Sequence, residues 1–216
     1  MRTRYLLNLA LVFLAVLIVG CSPRSKYEKR LKSELESGVR QDSLFLGLSL
    51  GMTQLDFYTH CWKLNRQGLI KQGPKNISVE YEMEKQLDHP ATMYFYPKFH
   101  QETIYEMPVQ FIYNGWAPWN EELTAEKLQK DVLNWFNDVY GENYIEVEHP
   151  KWGTAYVKID GNRRITIFKE NDSRVWAVFK DMSVDEDEIS SPKQDNEFDI
   201  RDDITKRLQE EKDEAE

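Results

Sequence analysis

His60 and Cys61 stand side by side, and a thiol next to an imidazole is the first pair in this chain whose types suggest chemistry. A catalytic cysteine needs a base within hydrogen-bond reach. Adjacent residues of a helix point about 100° apart, so this pair cannot readily serve each other. Cys61 also shares an apolar stripe with Phe57 and Leu64, and an apolar setting raises a thiol pKa and leaves it inert. The expectation is a structural cysteine. His60, His89, His100 and His149 are scattered, with no i, i+4 spacing of a helical metal motif, so no metal and no cofactor are expected. Carboxylates are too many to single out the two that a glycosidase places about 5–10 Å apart. Neither a phosphate-cradling glycine loop nor a nucleophile elbow occurs. No catalytic residue is assigned. The candidate ligand contacts are Trp116 and Trp119, in the loop Asn114-Gly115-Trp116-Ala117-Pro118-Trp119-Asn120. Aromatic residues are enriched at interfaces, so the two could form a platform for a sugar or a peptide. Each also buries some 200 Å² when covered, so they could instead seal the core.

Two helix-plus-sheet units would flank that loop. In the first, Thr53 followed by Asp56 reads as a capping box opening a helix that carries Phe57, Cys61 and Leu64 and ends at Gly68. Ile77, Val79, Tyr81 and Met83 then alternate with polar residues as a half-buried strand, and strands around Met93–Phe95 and Val109–Tyr113 follow. In the second, Thr124 starts a helix through Leu128, Val132, Trp135, Phe136 and Val139, closed by Gly141. Strands 156–160, 163–169 and 175–180 follow, the first two joined at Asp160-Gly161-Asn162, where glycine supplies the positive φ of a tight turn. A further short strand is expected near Tyr144–Val147. The fold class is α+β: tandem helix-plus-three-strand repeats, 42–115 and 120–182, forming one curved antiparallel sheet with helices on one face.

The N-terminus supplies an address. Arg2 and Arg4 precede an apolar run, Leu6–Gly20, interrupted only by Asn8, which matches a secretory signal of charged start, apolar centre and small residues at a cut site. The run is short for a membrane span of about 20 residues. Ile18-Val19-Gly20-Cys21 resembles the lipobox of bacterial lipoproteins. That resemblance implies a signal peptide over 1–20, diacylglycerol (palmitate-type acyl chains) on Cys21, and an anchor in the bilayer. Ser22 in place of aspartate implies transfer to the outer membrane where the host has one. Residues 21–41 would be a tether, with Tyr27, Leu31 and Leu35 at helical spacing. The stretch Leu46–Thr53, with Gly51-Met52-Thr53 leading into a helix and a strand meander, resembles the small lipoproteins of outer-membrane assembly. The doubled order of elements is similar to the β-lactamase-inhibitor-protein-like fold.

Charge narrows the partners. The chain is −9 overall, and residues 183–216 alone hold 14 acidic and 5 basic residues. The excess acid therefore belongs to a polar tail, expected to be largely disordered. The remainder is neutral, without the basic face of a nucleic-acid binder. The expected function is a membrane-anchored, non-catalytic binding or assembly module of the cell envelope that contacts an envelope protein or glycan. A hydrolase of an envelope polymer, or a protein that captures a glycan or small ligand, is the alternative.

Overall fold

The computed structural model describes residues 23–184, and the sequence readings for 1–22 and 185–216, Cys21 among them, lie outside the described residues. The described chain is α+β, with three helices and nine strands in a single open antiparallel sheet. In chain order the elements are α1 (Pro23–Glu36), α2 (Gln54–Arg66), β1 (Lys71–Gln72), β2 (Val79–Met83), β3 (Ala91–Phe95), β4 (Lys98–His100), β5 (Thr103–Tyr113), α3 (Ala125–Tyr140), β6 (Ile145–His149), β7 (Gly153–Asp160), β8 (Arg163–Lys169) and β9 (Val175–Asp181). The sheet order is β1-β2-β3-β5-β9-β8-β7-β6, with β4 pairing β5 beside that path. The last strand of each half, β5 and β9, thus meets the other at the centre of the sheet.

Local chemistry sets the helix ends. Thr53 Oγ1 accepts from the Asp56 amide at 3.1 Å, satisfying a first-turn donor that the helix cannot bond itself. Thr124 Oγ1 caps α3 by accepting from Lys127 N. Gly141, at φ +80°, closes α3 with its amide on the Asn137 carbonyl.

Alternation along the strands sorts residues onto two faces. On one, Met93, Met107, Val109, Phe111, Ile165, Ala177 and Phe179 are sealed beneath α2 and α3, whose Phe57, Leu128, Val132 and Phe136 join the same core. Phe136 reaches Phe111 and Phe179 at ring-centroid distances of 6.2 and 5.5 Å.

The two helices expected within 42–182, α2 and α3, share that face, but a third helix, in the segment expected to be a tether, does not. Helix α1 contacts β6 and β7, and its Tyr27 hydroxyl accepts from Arg164 Nη1 at 3.1 Å. Arg164 points away from Arg163, whose guanidinium lies over the α3 ring Tyr140. So α1 covers the opposite face, above Ile145, Ala155, Val157 and Ile159, which are all buried. The physical reason is a stripe of Tyr27, Leu31 and Glu34 at i, i+4, i+7, half-buried, with Leu35 facing outward. Residues 23–36, read from sequence as part of a spacer, lie on the sheet. No described helix is long and apolar enough to cross a membrane.

Candidate functional site

The outer face of β2, β3, β5, β9 and β8 carries no helix among the described residues. Its residues form cross-strand rows, because directly opposed positions on antiparallel strands share a face. One row runs Glu80, Tyr94, Gln110, Trp176, Phe168, in that order across five strands. The next holds Pro108, Val178 and Thr166. The third holds Lys98, Glu106, Lys180 and Arg164. Apart from the exposed Lys98 and the buried Lys180, every member lies between sealed and free: Tyr94, Gln110, Pro108, Trp176, Val178, Thr166 and Phe168 are half-buried. This is a broad surface with an aromatic row, an apolar row and an ionic row.

The aromatic row is held in place. Trp176 Nε1 donates to Glu170 Oε2 at 3.0 Å. Phe168 stacks on Trp152 at 4.2 Å, and Trp152 stacks on His149 at 4.1 Å. Both faces of the Trp152 indole are therefore taken. Burial raises the Tyr94 phenol pKa, helped by the Glu80 carboxylate beside it, so the ring keeps its hydroxyl neutral as a donor. Such a surface can desolvate rings and place a few polar groups around them, as interfaces do.

The residues singled out by sequence are dispersed. Trp116 and Trp119 share one loop but not one environment. Trp116 is half-buried and its Nε1 donates to the Asp172 carbonyl of the β8–β9 turn at 3.1 Å, whereas Trp119 is 84% exposed. Cys61 is buried in the core, and desolvation pushes its thiol up to about 12. His60 turns from it: its Nε2 meets the Leu46 carbonyl at 2.7 Å. His89 packs edge-on to Tyr113 and His100 to Tyr105. Among the described residues no three of His, Cys, Asp and Glu could hold a metal ion.

A cleft of about 610 Å³ lies between α2 and the segment before it, lined by Arg40, Asp42, Asp56, His60 and Lys63 among others. Its floor is a structural ion network. Arg40 Nη2 reaches Asp42 at 2.8 Å and Asp181 at 2.9 Å, and Asn162 Nδ2 donates to Asp42 at 2.9 Å. Burial pushes the Asp181 carboxyl up, but bonds from the Ser183 hydroxyl and amide, from Asn162 and from Arg40 outweigh it and hold the pKa below the ordinary value. Arg163, 4% exposed, ties this corner to the core by donating to the Ser43 carbonyl and to Asp160. These groups fasten the chain where it enters and leaves the sheet.

Sequence reasoning missed the three rows. Alternation marked which residues share a face within one strand, but only the register brings Tyr94, Trp176 and Phe168 into line. No family model, no curated protein and no solved structure matches the chain.

Proposed function

We propose that this protein is a lipid-anchored binding or assembly module of the bacterial cell envelope, held by acyl chains on Cys21 and working through the open face of its sheet. The observation that supports it most is the aromatic row Phe168–Trp176–Gln110–Tyr94, on the part of the outer face beyond the end that α1 covers. Buried Trp and Tyr anchors dominate binding energy at protein interfaces, and a row of them costs little side-chain entropy to present. The anchor rests on the run Leu6–Gly20 and the motif Ile18–Cys21. One acyl chain holds only marginally, and two or three make release slow. The partner would be an envelope protein, the bilayer being the second partner through Cys21. The sheet itself reads as two copies of one helix-plus-strands unit, 42–115 and 120–182. The mirrored order β1-β2-β3-β5 against β6-β7-β8-β9 supports that duplication.

Two measurements test the reading separately. Mass spectrometry of native material should find Cys21 acylated and N-terminal; a bare Cys21 behind an intact leader overturns the anchor. A photo-crosslinking residue replacing Trp176 or Tyr94 should capture a discrete envelope protein in intact cells, while the same residue at Lys130, on the outer side of α3, should not. Equal capture at both, or none at either, overturns the binding face.

A further inference from the structure

Helix α1 has two sides of opposite chemistry. Tyr27, Leu31 and Glu34 face the sheet and are half-buried, while Lys26, Lys29 and Lys32 are exposed. At about 100° per residue, Lys29 falls roughly 170° from the middle of the inward stripe, with Lys26 and Lys32 about 60° to either side of it. The three lysines thus form one outward stripe at i, i+3, i+6. The helix holds five cations, Arg24, Lys26, Lys29, Arg30 and Lys32, against Glu28, Glu34 and Glu36. Glu28 pairs with Arg24 at 3.0 Å, Glu34 with Arg30 at 2.7 Å, and Glu36 meets Lys32 at 3.8 Å. Lys26 and Lys29 enter no ion pair among the described residues.

Position and charge say what this stripe meets. The helix begins at Pro23, two residues after Cys21, so the anchoring cysteine lies within about 7 Å of its start. The helix is also fastened to the body, by Tyr27 to Arg164 and by Glu34 to the Gly161 amide, so the stripe cannot swing free of the domain. We propose that α1 lies along the bilayer with Lys26, Lys29 and Lys32 on anionic phospholipid headgroups, a second attachment beside Cys21 that fixes how the domain is turned. Acyl chains and a basic patch are complementary signals, and the attraction reaches only about a Debye length, some 8–10 Å, from the surface. Proximity to the anchor therefore decides which cations count. Helix α1 sits on the same face of the sheet as the aromatic row, so that row looks toward the same bilayer, set back by about one helix diameter of 10 Å. The partner assigned above is then a protein that stands in the membrane. The inference deepens the anchoring reading and rests on it for the place of Cys21.

Headgroup crosslinking of the full chain, purified in detergent and reconstituted, tests it. A photo-crosslinking residue replaces Ser33, exposed beside the stripe, or Lys130 on the outer side of α3. The vesicles are phosphatidylcholine alone, or phosphatidylcholine and phosphatidylglycerol in equal parts. Flotation on phosphatidylcholine reports the N-terminal anchor, which needs no anionic lipid. Phospholipid adducts at position 33, read by mass spectrometry, report α1. They should be about tenfold more abundant on the phosphatidylglycerol vesicles, since each lysine near an anionic surface strengthens attachment several-fold. They should fall back in roughly 1 M salt, where the Debye length shrinks to ~3 Å. The variant Lys26→Gln, Lys29→Gln, Lys32→Gln keeps the inward stripe and the melting temperature, and should lose the excess while still floating. Adducts absent at position 33, equal on both vesicles, equal at positions 33 and 130, or unmoved by the triple variant overturn the docking of α1. Flotation lost on phosphatidylcholine, with the adducts kept on phosphatidylglycerol, overturns the anchor instead and leaves the docking standing.

Discussion

Phe179 and Lys180 are neighbours on β9, yet one is sealed beneath α3 and Phe45 and the other belongs to an ionic row on the far side of the same sheet. The contrast extends along every central strand. Met107, Val109 and Phe111 on β5 are 0% exposed, while their alternates Glu106, Pro108 and Gln110 stay half-buried. One backbone therefore builds two surfaces under different rules. The inner one excludes water and supplies stability at roughly 25 cal/mol per Å² of apolar area removed from it. The outer one keeps rings and charges within reach of solvent, where they contribute little to folding and are available to bind. Substitutions at alternate positions of one strand should separate these roles.

The largest effect is expected on the inner face. Phe111 packs against Trp135 and Phe136, each at 6.2 Å between ring centroids. Phe111→Ala leaves a cavity beneath α3 and should cost about 3–5 kcal/mol. At this chain size that is a fall of roughly 10 °C in melting temperature, measured by circular dichroism. A fall no larger than that of an outer-face substitution would dissolve the distinction between the faces.

Helix α1 is the exception that sharpens it, because it seals only the β6–β7 end of the outer face. Leu31→Asp places a charge against that end and forfeits one leucine's transfer energy, about 2 kcal/mol. Hydrogen exchange should then quicken in Ile145–Val157 while the β5–β9 centre stays protected. Unchanged exchange would make α1 a bystander.

A smaller effect marks the rim, where Asp181 faces inward and meets Arg40. Its carboxyl titrates below its unfolded value, near 3.9, so its stabilising contribution is present above about pH 4 and is lost as pH falls through the folded pKa. Acid unfolding of Asp181→Asn should show a shallower limb below about pH 4 than the parent chain. An identical limb would place the acid sensitivity elsewhere.

How much of this was legible beforehand follows from what each signal needs. The helices starting at Thr53 and Thr124 were readable, because capping and i, i+4 spacing are local. So were the strands 163–169 and 175–180, the second of which runs one residue further, to Asp181. Strands β1 and β4 were not: two and three residues long, they exist only because β2 and β5 offer edges to pair with. Ile77, 69% exposed, was assigned to β2 by alternation alone, and the strand begins two residues later. The docked position of α1 was hidden for another reason. Glu34 takes an inward position a polar residue seldom holds, and it does so to accept from the Gly161 amide at 2.8 Å, 127 positions away. The rows of the open face need the register of five strands at once, which no single-strand period carries.

The smallest effect on stability is the most direct probe of the outer face. Trp176 has Ala177 as its neighbour along the strand, and the two point to opposite sides. Trp176 is half-buried, with its indole N–H on Glu170. Removing it costs that exposed bond and part of one ring's burial, and no cavity forms because solvent fills the space. The fall in stability for Trp176→Ala should be under about 1 kcal/mol, well below that of a sealed aromatic. If the row is a binding surface, the same substitution should remove capture by a photo-crosslinking residue at Tyr94, two strands away. The melting curve and the crosslink then separate: a residue that serves folding moves both, and a residue that serves recognition moves only the second. A large drop in melting temperature for Trp176→Ala would return the row to the core and leave the open face without a task.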